Sequence, residues 1–220
     1  SRRNQTLRGS NLRIRIKLNL NEVCEGTTKK IKVKKLVQAK NISFTTCDMC
    51  NGIGQINRVT NTILGQMQTS SVCPKCSGKG KKITKKPIES DEHGMIRKET
   101  LTEIEIPAGV SEGMQLKIPN EGNEAPFEGV NGDLLVLIEE DKHEELIRDG
   151  INIHHDLYVN ISEAILGTKK QIPTIEGKVE INIPSGIQNG KILRLQSKGI
   201  PDINEYSRER GDLLVHVNVW

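Results

Sequence analysis

Aromatic residues are nearly missing from this 220-residue chain: two Phe, two Tyr and one Trp make up 2% of it. A core must then be assembled from Ile, Leu and Val, which favours strands. Long apolar runs are missing too. No stretch approaches the ~20 residues of a helical membrane span, and the first residues show no apolar signal core, so nothing marks the chain for export. Neither sign of charge dominates: 32 Lys and Arg against 28 Asp and Glu leave +4, short of a nucleic-acid-binding signature. Gly-x-Ser-x-Gly, the P-loop and the glycine-rich dinucleotide fingerprint are absent, and no catalytic residue is expected. The length allows more than one core, hence two domains.

Cysteine is scarce but patterned. Four of the five cysteines fall in two copies of C-x-x-C-x-G-x-G, Cys47–Gly54 and Cys73–Gly80, with 22 residues between Cys50 and Cys73. A C-x-x-C turn brings two thiolates to one point, and the glycines after it supply the positive φ of a tight turn. Two facing turns complete the S₄ cage that zinc prefers in structural sites. Cys47, Cys50, Cys73 and Cys76 are thus the expected ligands of one zinc. Disulfides or a thioredoxin-like redox site are the alternatives; the latter opens a helix, and Gly-x-Gly after each pair spoils a helix start. A zinc ribbon for nucleic acid is disfavoured, because 55–72 carries one basic residue, Arg58, and no aromatic. Reduced thiolates suit a cytoplasmic location.

Residues 1–10 are polar and basic and read as a linker remnant. From Leu12 to Leu20 apolar residues recur at every second position, a half-buried strand. Asn21 is expected to cap a short helix through Glu25, ended by Gly26. Cys24 within it reads as an ordinary buried thiol. Lys30–Lys34 alternates again, its lysines forming a solvated strand face. Ile83–Glu99 looks polar and irregular. Leu101, Ile104 and Ile106, then Leu116 and Ile118, then Leu134–Ile138 supply further strands, with turns at Pro107–Gly109 and Pro119–Gly122. His143, His154, His155 and His216 are scattered, and metal binding by them is not expected.

The chain is internally duplicated. Ile106-Pro-Ala-Gly-Val-x-x-Gly113 recurs as Ile183-Pro-Ser-Gly-Ile-x-x-Gly190, and Gly132-Asp-Leu-Leu-Val136 as Gly211-Asp-Leu-Leu-Val215. Leu20–Gly26 matches Ile161–Gly167, which puts Ile165 at the place of Cys24. The expected fold is mainly β: two tandem homologous β-sandwich or barrel-like domains, the first interrupted by the cysteine-rich module. The boundaries read as 11–37 plus 99–148 for the first domain, 38–98 for the module and 149–220 for the second.

The tandem C-x-x-C-x-G-x-G turns, with Ile106-Pro-Ala-Gly-Val110, Asn131-Gly-Asp-Leu-Leu135, Arg8-Gly-Ser-Asn-Leu12 and Gly211-Asp-Leu-Leu214, resemble the zinc-containing DnaJ co-chaperones over essentially the whole length. Chains of that family begin with a helical J domain and end with a dimerising segment, and neither pattern is seen here. The family carries four such cysteine turns; here the second and third survive. Ala39 and Ile42 stand where the first turn has its cysteines, and Ile88 and Asp91 where the fourth does. The expectation is one zinc, with the neck of the module held by apolar contact through Ile42 and Ile88. The resemblance implies a co-chaperone that takes unfolded polypeptide as an added strand and passes it to a DnaK-type chaperone, with the whole protein a homodimer. It would not hydrolyse ATP. Carried over, the client pocket would be lined by Leu12, Ile31, Val33, Leu101 and Val136. Thiol–disulfide exchange by the C-x-x-C pairs is the alternative function; nucleic acid and membrane are not expected partners.

Overall fold

A computed structural model describes residues 7–62, 65–204 and 209–220. The chain is mainly β. In order come β1 (Leu12–Leu18), α1 (Leu20–Glu25), β2 (Thr27–Gln38), β3 (Ser43–Thr46), β4 (Gln55–Thr62), β5 (Gly65–Val72), β6 (Lys81–Lys85) and β7 (Met95–Ile106). Then follow β8 (Gln115–Ile118), a single 3-10 turn (Pro126–Glu128), β9 (Leu134–Glu140), β10 (Ile147–Asp149) and β11 (Asn152–Val159). The remainder is α2 (Ile161–Leu166), β12 (Thr168–Thr174), β13 (Gly177–Ile183), β14 (Ile192–Leu195) and β15 (Leu213–Val219). Alternation decides the faces: Ile16 and Leu18 of β1 are buried while Arg15 and Lys17 are exposed.

The duplication is visible in the topology. β1-β9-β8 form a three-stranded sheet and β2 pairs with β7; β11-β15-β14 repeat the first, with β10 added at its edge, and β12 with β13 repeat the second. The copies share their small polar devices as well. Asn19 caps α1 and Asn160 caps α2, each in a reciprocal capping box with the Glu three residues on. Lys29 and Lys170 pair with those glutamates, Glu22 and Glu163. The Asp133 carboxylate accepts from the Asn120 N–H and pairs with Lys117; Asp212 does the same with the Ser197 N–H and Arg194. The Asn11 and Asn152 side chains accept from the backbone N–H of Asp133 and Asp212. Seven positions in one copy thus have counterparts in the other, and at five of them the residue is the same.

The insertion lies between β2 and β7. β3 pairs antiparallel with β6, and β4 with β5, Gln55 standing opposite Val72. Every described side chain of β5 is exposed, so this hairpin reaches into solvent.

By contacts the chain forms two compact units. One gathers Lys32–Thr102 and Lys117–Leu135 with the described residues up to Arg13; the other gathers Ile14–Ile31, Glu103–Leu116 and Val136–Trp220. The long strands of the first copy therefore contribute residues to both. In the second unit Ile153, Ile172, Ile183, Ile200, Leu213, Val215 and Val217 are buried, an aliphatic core of the kind the low aromatic content demands.

Some expectations are corrected. The helix cap is Asn19, not Asn21, because Glu22 at the third helical position closes a box only with Asn19. Ile83–Glu99 is not irregular throughout: β6 covers its start, and β7 begins at Met95. The linker read over 1–10 falls outside the described residues as far as residue 6. From Leu7 the chain is tied down, the Gly9 N–H donating to the Val130 carbonyl at 2.8 Å and Arg8 pairing with buried Asp133. Cys24 is buried, but its counterpart Ile165 is 62% exposed, so the two sites match in sequence and not in surroundings.

Candidate metal centre

The two cysteine turns are built alike, from the backbone upward. After β3, Cys50 accepts through its carbonyl from the Ile53 N–H at 3.0 Å and through Sγ from the Gly54 N–H at 3.2 Å. After β5, Cys76 does the same with Lys79 and Gly80, at 3.0 and 3.2 Å. The turns are laced to each other: the Cys47 N–H donates to the Gly80 carbonyl at 2.8 Å and the Cys73 N–H to the Gly54 carbonyl at 2.9 Å. Glycine is required here. A Cβ on Gly54 would lie 2.3 Å from the Gly78 oxygen, and one on Gly80 2.2 Å from the Gly52 oxygen.

This lacing turns all four sulfurs inward, where they are buried with Ile56 packed against them. Cys47 and Cys73 Sγ stand 4.0 Å apart, Cys50 and Cys76 Sγ 3.6 Å, and all four lie within 4.8 Å of one another. Tetrahedral bonds of ~2.3 Å place sulfurs about 3.8 Å apart, so the cage fits one ion. Burial pushes against ionisation of Cys47, but the N–H groups of Cys50 and Met49 and the nearby sulfurs bring its thiol down to about 7. Burial and the neighbouring sulfurs push Cys76 up to about 11. Four buried sulfurs this close together form a cage that a cation completes. Four sulfurs close the coordination sphere and leave no position for a catalytic water.

The neck of the module differs from expectation. Ile88 is fully exposed and holds nothing. The turn is organised instead by Asp91, whose Oδ1 accepts from the His93 and Met95 N–H groups, both at 2.8 Å. Met95 lies four residues after Asp91, as Gly54 does after Cys50, so a carboxylate oxygen occupies the acceptor's place that a sulfur has in the turns below. Burial disfavours the charge, but those N–H donors and His93 hold the Asp91 carboxyl below its usual value. Across the neck the buried Ala39 donates its N–H to the Gly94 carbonyl at 2.9 Å. Ile42 does take part: a Cβ on Gly94 would lie 1.8 Å from its Cδ1. The two phenylalanines, Phe44 of β3 and Phe127, meet with ring centroids 5.1 Å apart.

The residues expected to contact clients fall on four strands, β1, β2, β7 and β9. Leu12 on β1 and Ile31 on β2 are half-buried, while Val33 on β2 and Val136 on β9 are buried. Leu101 is 61% exposed on the face of β7 opposite buried Thr102 and Ile104. β2 has β7 as its one sheet partner among the described strands. Its C-terminal part is also engaged, Leu36 accepting from the Glu124 N–H and Gln38 donating to the Glu124 carboxylate. No helix among the described residues is long and apolar enough to cross a membrane.

A duplicated β-fold interrupted by a four-thiol metal cage defines a class of protein, and comparison with known sequences names it. The family model described as DnaJ C terminal domain matches residues 12–220, and the chain belongs to that family. Chaperone protein DnaJ of Porphyromonas gingivalis is 44% identical over 99% of this chain and 59% of its own length. Those of Bacteroides thetaiotaomicron and Bacteroides fragilis are 43% and 42% identical, each over 97% of this chain and 56% of its own length. The chain thus spans somewhat under three-fifths of the curated relatives it matches.

Proposed function

We propose that this chain is the polypeptide-binding part of a DnaJ-type co-chaperone, which holds non-native clients in extended form for a DnaK-type chaperone. The observation that carries the reading is the open edge of β2. From Thr27 to Lys35 this strand has β7 on one side and no sheet partner on the other among the described residues. An unfolded segment can satisfy the free N–H and C=O groups of such an edge through its own backbone, whatever its sequence. Half-buried Ile31 is the aliphatic side chain that meets it, and half-buried Leu12 is a further candidate. Val33 and Val136 are too buried to touch a client and act by holding their strands. Leu101 offers an apolar contact of its own on the outer face of β7. Binding is weak, because the client loses conformational freedom on being ordered.

The resident metal is zinc, one per chain, held by Cys47, Cys50, Cys73 and Cys76, and its part is structural. The fit of the sulfur cage and its closed coordination sphere support this reading, and the whole protein would act as a homodimer. Fluorescence anisotropy with a labelled, aliphatic-rich unfolded peptide tests the client site. Ile31→Asp is expected to weaken binding about tenfold with unchanged zinc content and an intact melting transition. A folded variant that binds as the parent does would remove β2 from the client site.

A further inference from the structure

Two histidines 62 residues apart in sequence meet on one face of the sheet β10-β11-β15-β14. β11 and β15 run parallel, with His154 opposite Leu214 and Asp156 opposite His216, so both imidazoles stand on one face of neighbouring strands. His154 Nδ1 and His216 Nε2 are 2.8 Å apart. The rings lie edge to edge and nearly coplanar, with centroids 5.1 Å apart and planes 17° from parallel, so the two nitrogens point at each other in a hydrogen bond. On the far side of its ring, His154 Nε2 faces the carboxylate of Asp149, on β10, at 3.8 Å. Both rings are half-buried. Around them the face is open: Ile192, opposite His216 on β14, is 48% exposed, and Asp156 is exposed and bonded to the Asn218 amide at 3.3 Å.

We propose that His154 and His216 form a two-imidazole site for a divalent transition cation of the Ni²⁺, Cu²⁺ or Zn²⁺ type, separate from the thiolate cage. Neutral imidazole is a preferred ligand of these ions. Metal–nitrogen bonds of ~2.0–2.1 Å set adjacent ligand nitrogens about 3 Å apart. The spacing already matches, and turning each ring by roughly 45° exchanges the hydrogen bond for two lone pairs aimed at one ion. Asp149 lies behind the ligand: its carboxylate, 3.8 Å from His154 Nε2, favours the proton on that nitrogen and so leaves the lone pair on Nδ1. His216 presents Nε2 in its own Nδ1–H tautomer. Solvent on the open face completes the coordination sphere.

The test uses the untagged chain with its thiolate cage already filled by zinc. Ni²⁺ titrated calorimetrically at neutral pH should bind at one equivalent in the micromolar range, with zinc content unchanged. His154→Gln and His216→Gln should each weaken binding at least tenfold, Asp149→Asn by a few-fold, and His143→Gln not at all. In the unaltered chain the paramagnetic ion should broaden the ring resonances of His154 and His216 before those of His93 and His143, a readout independent of whether a variant folds. Binding no tighter than millimolar, equal affinity in folded His154→Gln and His216→Gln, or nickel uptake matched by zinc release would each overturn the proposal.

Discussion

The inserted module is tied at two levels by the same kind of turn made from different atoms. At the inner level Cys50 and Cys76 accept N–H donors through sulfur, and the sulfurs also face one another across a cage. At the neck Asp91 accepts equivalent donors through a carboxylate oxygen, with Ala39 and Ile42 across from it in place of a second pair of thiols. The turn therefore needs a side-chain acceptor four residues before a backbone N–H, and sulfur is one choice among two. A metal is called for only where four thiols face one another. A site can lose its ligands and keep its backbone path, because one hydrogen-bonding atom is enough to preserve the bend.

Removing the metal proposed for the cage separates the two levels most directly. Chelation, or Cys47→Ser, should release the metal and abolish amide-exchange protection in β4 and β5, since apparent binding energies of structural zinc are on the order of 10 kcal/mol. Protection at Ala39 should persist. If the neck and both β-copies open together with the cage, the two levels are not separate devices. A smaller effect is expected from Asp91→Ala, which leaves two N–H donors without their acceptor. The neck should lose about 1–2 kcal/mol, read as local exchange at Met95, with metal content unchanged; metal loss would show that the cage depends on the neck.

Acid provides a finer probe of the same carboxylate. The folded-state pKa of Asp91 is depressed, so its contribution is present above the unfolded value of ~3.9. It is lost as pH falls below that value and through the folded one. Protection at Met95 should decline over that window in the parent and show no such step in Asp91→Asn. Because Asp91 is solvent-exposed, the change should be under about 1 kcal/mol. The smallest effect belongs to Ile88→Ser, expected within about 0.5 kcal/mol of the parent. A larger loss of thermal stability would return Ile88 to the neck.

Much of this was legible in sequence because it is local. The cysteine spacing specified the cage, period-two alternation located β1 and β2, and the apolar run Leu134–Ile138 located β9. The repeated Ile-Pro-x-Gly and Gly-Asp-Leu-Leu stretches disclosed the duplication. What escaped depends on contacts between distant residues. Ile88 and Ile42 look alike as apolar replacements, yet only Ile42 finds Gly94 beside it. Cys24 and Ile165 occupy matching helix positions. Cys24 is within 3.2 Å of Arg210, while nothing comparable covers Ile165. The glycines that follow tell the same story: Gly109 sits beneath the backbone of Pro201–Ile203, and Gly186, its counterpart, has open space. The helix cap was readable in full, since Asn19 with Glu22 obeys the capping-box spacing and Asn21 does not. The pairing of His154 with His216 was not, because it requires knowing that β11 lies beside β15 in parallel.

One consequence of the sheet order concerns the timing of synthesis. β1 lies beside β9, so the first copy cannot close its sheet until the chain has been made as far as Leu134. All four cage cysteines leave the ribosome well before that point, and among the described strands the β4–β5 hairpin between them pairs with nothing but itself. Local contacts of this kind form early, while distant strand pairings wait. The module can therefore take up its ion while the domain that carries it is still two open ends, and it shortens the loop those ends must later close.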